Sequence, residues 1–494
     1  MRTGVGTAGS GRICAIDVGT TSMRVAIVDD RLQIVDLEAR RSPPATPFPG
    51  LVEFDPRSMA DTAIELASRL IERHGPVVAV GITNQRASTV VWDRATGEPI
   101  GPGLGWQDLR TVMECIRAKD QHGLHLAPNQ SATKLAWLID SVDGGRERDL
   151  CFGTVDCWLA WTLLGGSAHV TDHSNAAVTG LLEADASGWS AHALDALAIP
   201  SGMLPALVSS TGVVGDAVRL PGTPPLAALA GDQQASLVGQ GCVRAGLTKI
   251  TFGTGGMLDT CTGTPPVDDG RRTSHGTFPI VAWSRDGVCT WGLEAIMLAA
   301  GANVAWLCDD LGLIPDAAAS HGLAQTVTDS NGAVFVPALL GLGTPQWDYG
   351  ARGTLLGATT GTTAAHLCRA VLDGVAHRGV DLVEAAEADL GRPIESVRID
   401  GGMSANPTFV QALADLAGRP VEVSPVVEAT TLGAAFLAGL AVGVWGDITD
   451  AAEMWRPAHA VEPVGDGRRG ERQRWADALR RAEGWIPELS TLDF

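Results

Sequence analysis

The strongest constraint on the fold is one hairpin pattern that occurs twice, about half a chain apart. In the first copy, the β-rich run Ile13–Asp17 leads into the turn Val18–Ser22 and a second β-rich run. In the second copy, Leu247–Phe252 leads into Gly253-Thr254-Gly255-Gly256 and another apolar run. Each pattern is typical of a β-hairpin whose turn is built from glycine and hydroxyl side chains. The repeat predicts a chain made of two halves on one plan.

Helices and strands alternate after the first hairpin. Met59–His74 places its apolar residues on one helical face. Val77–Ile82 is typical of a buried strand, and the polar residues Thr83-Asn84-Gln85-Arg86 follow it. This order predicts an α/β fold, in which polar residues at the carboxyl end of a strand tend to face a ligand.

The second half repeats the alternation. Val397–Asp400 is typical of a strand, and Asn406 is placed to cap a helix with Pro407 at its first position and Gly418 at its end. We expect the boundary between the halves near Gly239–Gly246, just before the second hairpin.

Composition limits the class of protein. The 494 residues include 45% hydrophobic residues and carry a formal net charge of −20, as expected of a soluble globular chain that repels nucleic acid and acidic membranes. Nine cysteines without a CxxC pair suit reduced thiols in a cytoplasm and predict no zinc site. Met1–Arg12 lacks the apolar core of a signal peptide, and the apolar run Leu432–Trp445 is shorter than the ~20 residues that cross a bilayer.

Several common active-site motifs are absent. Gly4–Gly9 fits G-x-G-x-x-G but precedes the first strand, whereas a dinucleotide fingerprint follows one. No lysine follows a glycine, which excludes a Walker A loop. No histidine pair flanks a glutamate at zinc-hydrolase spacing, and Gly402–Asn406 misses the serine-hydrolase elbow at its last residue.

The two hairpin turns are candidate phosphate sites. The first combines backbone donors with the side chains of Asp17, Thr20, Thr21, Ser22 and Arg24. Carboxylate, hydroxyl and guanidinium groups are what Mg²⁺ and the phosphates of a nucleotide require. An ordinary hairpin turn remains the alternative for this turn and for Gly253-Thr254.

A third candidate site is Gly231-Asp232-Gln233-Gln234, after an apolar stretch. A carboxylate there can accept the proton of a substrate hydroxyl during phosphoryl transfer. The alternative is that Asp232 only caps a helix. Arg86 and the segment Trp106-Gln107-Asp108 form a polar and aromatic set of the kind that lines sugar or polyol pockets, although Trp106 alone is more often packing.

Taken together, these segments resemble the FGGY carbohydrate kinases, and within that family the glycerol kinases. The matching segments run in the family's order and include IDVGTTSMR, GITNQR, WQDLRT, GDQQASL, FGTGG and DGGMSANP. The resemblance implies two actin-like, ribonuclease-H-like domains that face a central cleft. It also implies transfer of the γ-phosphate of ATP, with Mg²⁺, to a sugar or polyol hydroxyl.

The resemblance assigns roles by position. It implies that Asp232 is the general base and that Asp17 and Asp232 hold Mg²⁺. It places the acceptor pocket at Arg86, Ala87, Trp106, Asn129, Asp232, Gln233 and Met257. It places the nucleotide and its phosphates at Thr20, Thr21, Ser22, Arg24, Gly253, Thr254, Gly301, Gly402 and Asn406.

Three pocket positions depart from the glycerol kinase pattern. Ala87 stands where a glutamate binds a substrate hydroxyl, and Asn129 and Met257 stand where a tyrosine and a phenylalanine are usual. An unpaired substrate hydroxyl costs ~1–3 kcal/mol. We therefore expect an acceptor larger than glycerol, such as a tetritol, a pentitol or a short ketose, with a true glycerol kinase as the alternative.

Two other classes of function remain open. An ATP-binding scaffold of the actin and Hsp70 type needs no acceptor pocket, and a silent sugar sensor needs no intact Asp17 and Asp232. The expected layout is a flexible tail over 1–11, an N-terminal FGGY domain over 12–246 and a C-terminal FGGY domain over 247–486. We also expect a cytoplasmic homodimer or homotetramer without nucleic-acid or membrane partners.

Overall fold

The computed structural model describes residues 11–265, 272–464 and 469–492. Of the predicted tail 1–11 only Gly11 is described, and the glycine pattern at 4–9 lies outside the described residues. The strands of the first half are β1 (Ile13–Val18), β2 (Ser22–Val28), β3 (Ile34–Arg41), β4 (Glu53–Phe54), β5 (Ala79–Asn84), β6 (Val90–Asp93), β7 (Gly103–Leu104), β8 (Leu150–Gly153), β9 (Val170–Asp172), β10 (Ala206–Val208), β11 (Thr211–Asp216) and β12 (Pro225–Gly231).

Helices of the first half are α1 (Pro56–His74), α2 (Val112–His122), α3 (Ala132–Asp140), α4 (Val155–Leu163), α5 (His173–Ala177), α6 (Ala191–Ala196) and α7 (Asp232–Gly239). Strands of the second half are β13 (Thr248–Phe252), β14 (Gly256–Gly263), β15 (Phe278–Arg285), β16 (Val288–Met297), β17 (Val334–Val336), β18 (Thr354–Leu356), β19 (Val397–Asp400), β20 (Val421–Val423) and β21 (His459–Val461). Its helices are α8 (Gly301–Ala305), α9 (Ala319–Ala324), α10 (Ala364–Leu390), α11 (Pro407–Ala417), α12 (Ala429–Ala441), α13 (Asp450–Met454), α14 (Arg469–Ala482) and α15 (Pro487–Ser490).

Both halves are built on the same five-stranded plan. The first half has the order β3-β2-β1-β5-β12, and the second has β16-β14-β13-β19-β20. In each, three strands pair antiparallel, β1-β2-β3 in the first half and β13-β14-β16 in the second, and two later strands add in parallel on the other side of β1 or β13. The prediction of two similar halves is confirmed.

The two sheets join into one at a single pairing position. There Thr211 of β11 lies opposite Arg285 of β15. A second junction is made by α12, which follows the second sheet in sequence but packs on α7, β1, β5 and β12 of the first half. At the α7 and α12 crossing, a Cβ on Gly433 would collide with the carbonyl oxygen of Ala235. The close approach of these helices therefore requires glycine.

Several predicted boundaries are confirmed, and others shift. Asn406 accepts a hydrogen bond from the Phe409 amide and begins α11, which ends at Gly418 as predicted. Helix α1 begins at Pro56, before the predicted Met59, because the side chain of Asp55 caps it. Strand β5 includes the two polar residues Thr83 and Asn84, since Asn84 pairs with both Val18 and Gly231. No described helix has the length and hydropathy needed to span a membrane.

Candidate active site

The carboxyl ends of three parallel strands bring the first-half candidates together. Val18, Asn84 and Gly231 lie side by side in β1, β5 and β12. Asp17, Arg86 and Asp232 are each within two residues of these positions, so one edge of the sheet carries all three charged groups. This clustering depends on the parallel register and follows the rule for ligand sites in α/β sheets.

Asp17 is held from both halves of the chain. Its carboxylate is 4% exposed and accepts a 2.9 Å hydrogen bond from the Thr431 hydroxyl in the first turn of α12. Arg24, the cross-strand neighbour of Asp17, places its Nε 3.0 Å from the carboxylate of Glu428. The start of α12 therefore covers the first hairpin.

The charge environment of Asp17 suits a cation. Burial raises the pKa of Asp17 to about 7; Thr431 and Arg24 oppose that shift, whereas the Asp232 carboxylate adds to it. Within the described ranges, no group of three or more histidine, cysteine or acidic side chains is arranged as a metal cage. One or two carboxylates completed by phosphate oxygens are the usual Mg²⁺ site. The residues present fit that arrangement.

The first hairpin turn lies against the predicted acceptor pocket. The indole Nε1 of Trp106 donates a 3.1 Å hydrogen bond to the Thr20 hydroxyl. The Gly19 amide donates to the Ser22 carbonyl at 3.0 Å, which tightens the turn, while Thr21 is exposed. A cavity of about 720 Å³ borders the turn, and its lining includes Thr20, Ser22, Gln85 and Gln107.

Asp232 is the first residue of α7, and Gly231 occupies the capping position. Asp232 therefore lies in the first turn of the helix and not at its N-cap, and its role as general base stays a prediction. Its Oδ1 accepts from the Gln233 amide at 2.8 Å and lies 3.4 Å from Nε of Arg86. Burial raises the pKa of Asp232, and Arg86 opposes that shift. A Cβ on Gly231 would come within 2.7 Å of the Arg86 side chain, so glycine here makes room for the guanidinium.

Three buried charged residues next to this site were not predicted. Glu294 lies 2.7 Å from Nη2 of Arg86, and Lys249 lies 2.6 Å from the carboxylate of Asp259. Burial raises the pKa of Glu294 to about 7, with Asp259 adding to the shift and Arg86 opposing it. A sequence signal was available, because Lys249 and Asp259 are the charged residues of two strands that otherwise contain only apolar residues, glycine and threonine.

Three pocket positions differ from the glycerol kinase pattern, and the structure brings two of them, Ala87 and Asn129, into one region. Ala87 is buried with a positive φ of 59°, and its carbonyl accepts a 3.0 Å hydrogen bond from the Ser131 hydroxyl. Asn129 lies two residues before Ser131 in an exposed turn. Met257 lies on β14, opposite Thr251 of β13.

Lys134 donates to the Trp106 carbonyl at 3.1 Å and so fixes the backbone beside Thr20.

Three turns of the second half also meet. Gly301 donates a 2.9 Å hydrogen bond to the Gly253 carbonyl, and Ala300 donates to the Thr254 carbonyl at 2.8 Å. Gly402 follows the end of β19, which pairs with β13 up to Thr251. Asn406 lies four residues further on, but its amide donates to the Ser320 hydroxyl while its oxygen caps α11. Its contact with a nucleotide stays a prediction.

The family follows from two matches that divide the chain as the two sheets do. The N-terminal domain model of the FGGY family of carbohydrate kinases matches residues 12–239. The C-terminal domain model of the same family matches residues 248–442. The chain belongs to the FGGY family of carbohydrate kinases. The FGGY domains account for most of the chain, and the predicted resemblance is confirmed.

Individual FGGY relatives agree with this assignment. The glycerol kinase of Aromatoleum aromaticum is 42% identical over 495 residues, covering 96% of this chain and 99% of the relative. Glycerol kinase 2 of Thermotoga maritima is 39% identical over 494 residues, with the same coverage. The Plasmodium falciparum glycerol kinase structure with ADP aligns with a TM-score of 0.88 and 26% identity, over 98% of this chain and 99% of that one.

A kinase named for a different substrate shares the fold. The xylulose kinase of Lactobacillus acidophilus aligns with a TM-score of 0.83 and 21% identity, over 98% of this chain and 99% of that chain. The predicted α/β fold with two actin-like domains is confirmed, as is an ATP-dependent kinase with ATP and Mg²⁺ as cofactors. Membership of this family removes the alternative of an actin- or Hsp70-type scaffold.

Proposed function

We propose that this FGGY kinase transfers the γ-phosphate of ATP to a hydroxyl of a polyol longer than glycerol, such as a tetritol or a pentitol. One observation carries the proposal: the Arg86 guanidinium spans Asp232 and Glu294 next to Ala87, which has no side chain beyond Cβ. The groups that would bind the reacting end of the acceptor are therefore present, while the adjacent position offers no hydrogen-bonding partner.

Asp232 is the general base in this proposal. Both of its contacts, from Arg86 and from the Gln233 amide, are made to Oδ1. The second oxygen, Oδ2, accepts the proton of the acceptor hydroxyl as that oxygen attacks phosphorus. Arg86 holds the carboxylate in place and supports its negative charge, because a guanidinium beside a carboxylate favours the ionised form.

The nucleotide would be held between the two halves. Thr20, Thr21 and Ser22 face it from the first hairpin, and Gly253, Thr254, Gly301 and Gly402 from the second half. Asp17 and Asp232 would hold Mg²⁺, which neutralises developing phosphate charge when bound. Arg24 is paired with Glu428, so we assign it to positioning the hairpin beside Asp17.

The size of the acceptor follows from Ala87 and Asn129. Relatives named glycerol kinase favour glycerol itself as the second candidate. Against glycerol, neither Ala87 nor Asn129 has a carboxylate or an aromatic ring to offer a three-carbon acceptor, and Asn129 is also exposed. A longer polyol would fill the region that a larger side chain at Ala87 would occupy.

The test is a coupled ADP-release assay at fixed MgATP across glycerol, erythritol, ribitol, xylitol and xylulose. A kcat/KM for a tetritol or pentitol at least about tenfold above that for glycerol would support the proposal, since one lost hydrogen bond is worth about that factor. Preference for glycerol would establish the second candidate. ADP release that no polyol or ketose stimulates would overturn the function.

Location, assembly and domain limits belong to the same proposal. The nine free cysteines suit a reducing cytoplasm. We propose a division at 12–246 and 247–486, supported by the repeated strand order. A homodimer or homotetramer stays a prediction, which light scattering at assay concentration would check.

A further inference from the structure

A row of buried charges crosses the sheet of the second half. Lys249 of β13 lies directly opposite Asp259 of β14, and Asp259 lies directly opposite Glu294 of β16. Directly opposed residues project from the same face of a sheet. The side chains of Lys249 and Asp259 are both fully buried, and that of Glu294 is 8% exposed. The row therefore presents one cation and two carboxylates to the first half.

Each end of this row contacts a residue of the proposed acceptor pocket. At one end, Glu294 lies 2.7 Å from Nη2 of Arg86. At the other end, Nζ of Lys249 donates a 2.7 Å hydrogen bond to Oε1 of Gln233. The second half thus holds two pocket residues of the first half through buried polar contacts.

The Lys249 contact determines which way the Gln233 amide points. An ammonium group has three donors and no acceptor, so Gln233 must offer its oxygen. The other partners of Lys249 are the Thr251 hydroxyl at 3.1 Å and the Asp259 carboxylate at 2.6 Å. The first is a hydrogen bond and the second is an ion pair, and together they hold Nζ of Lys249 beside Gln233. With Oε1 committed, Gln233 presents Nε2 as a hydrogen-bond donor.

We infer that Lys249, fixed by Asp259, is a positioning residue that makes Gln233 a hydrogen-bond donor to the acceptor. This inference rests on the proposed function, because it requires a polyol oxygen beside Gln233. A polyol oxygen can accept from Nε2 while its own proton is given to another group. Without Lys249 the amide can turn over and offer its oxygen instead, which a hydroxyl oxygen acting as acceptor cannot use.

The experiment replaces the buried pair together, as Lys249→Met/Asp259→Leu, since removal of one partner alone leaves an uncompensated buried charge. The expected result is a rise of about three- to tenfold in the KM for the best polyol, the effect of one hydrogen bond, with the KM for ATP unchanged. The matched control is Arg369→Met/Asp373→Leu, an ion pair on α10 outside the pocket, for which both KM values should stay at the wild-type level.

If the double variant does not fold, a second variant tests the same inference. Gln233→Glu retains an oxygen for Lys249 and removes the Nε2 donor, so it should raise the polyol KM by a similar factor without changing the KM for ATP. An unchanged polyol KM in either folded variant would overturn the inference. Failure of the wild-type enzyme to phosphorylate any polyol would instead overturn the proposed function.

Discussion

The Thr431 hydroxyl donates a 2.9 Å hydrogen bond to Oδ2 of Asp17, although 414 positions separate the two residues in the chain. Both residues are buried, at 0% and 4% exposure. The carboxylate proposed for Mg²⁺ therefore depends on a helix from the other end of the sequence. Since a buried carboxylate without a donor is costly, this contact contributes to both stability and cation binding.

Thr431→Val removes this donor and nearly preserves the shape of the side chain. We expect the free energy of unfolding to fall by about 1–3 kcal/mol and the Mg²⁺ concentration for half-maximal activity to rise. Urea unfolding and a Mg²⁺ titration at saturating ATP measure the two effects. The exposed Thr326→Val serves as the control, and equal behaviour of the two variants would contradict the role of this contact.

Asp232→Asn keeps the size of the proposed base but removes its ability to accept a proton. The rate of polyol phosphorylation should fall by about 10²–10⁴-fold, with ATP affinity nearly unchanged. Steady-state kinetics and calorimetric ATP binding measure the two quantities. Asp195→Asn, at an exposed position of α6, should behave as wild type, and retained transfer in Asp232→Asn would refute the base assignment.

Ala87→Glu places a carboxylate where a substrate hydroxyl lacks a partner. The ratio of kcat/KM for glycerol to that for a tetritol should rise by about tenfold, because the added side chain fills space and accepts one hydrogen bond. Ala87→Gly is the matched control: it suits the positive φ of 59° and should leave the ratio unchanged. An unaltered ratio in Ala87→Glu would place the acceptor elsewhere.

Gly433→Ala introduces a methyl group into the α7 and α12 crossing. Because its Cβ would collide with the Ala235 carbonyl, we expect a loss of at least about 1–3 kcal/mol in the free energy of unfolding. Gly202→Ala, where a Cβ meets no atom within 4 Å, should change stability little. Thermal unfolding of both variants decides the matter, and equal melting temperatures would show that the helices separate without cost.

The buried carboxyl group of Asp156 should make the free energy of unfolding depend on pH. Burial raises its pKa to about 7; Asp172 adds to the shift, while the Thr154 and Thr171 hydroxyls oppose it. The folded state therefore binds this proton more tightly than the unfolded state, whose pKa is about 3.9. Stability from this group is complete below the unfolded pKa and is lost as the pH rises towards 7.

Asp156→Asn removes this titration while keeping the size of the side chain. The stability of the variant relative to the wild type should rise by about 1–3 kcal/mol between pH 5 and pH 8, because over this range the unfolded wild type is ionised while its folded state must hold a proton or bury a charge. Urea unfolding at both pH values measures the difference. A constant difference between variant and wild type across this range would contradict the predicted titration.

Local patterns predicted much of this molecule. The two hairpins, the Asn406 cap and the polar residues after β5 follow from turn chemistry and periodicity, which act over a few residues. The contacts of Thr431 with Asp17 and of Glu294 with Arg86 were not predicted, because the partners in each pair lie far apart in the sequence. The end of β5 was predicted two residues too early for a similar reason, since pairing with β1 and β12 extends the strand through two polar residues.

The position of α12 determines whether a fragment of the chain can fold on its own. Strands β1, β5 and β12 are covered by α12, which begins at Ala429, far beyond the end of β12 at Gly231. A fragment ending near Gly246 would expose the small side chains and glycines that receive this helix, including Gly81 beneath Ala434. The amino-terminal half is therefore an incomplete folding unit, and only addition of the missing carboxyl-terminal segment, in cis or as a second polypeptide, would complete it.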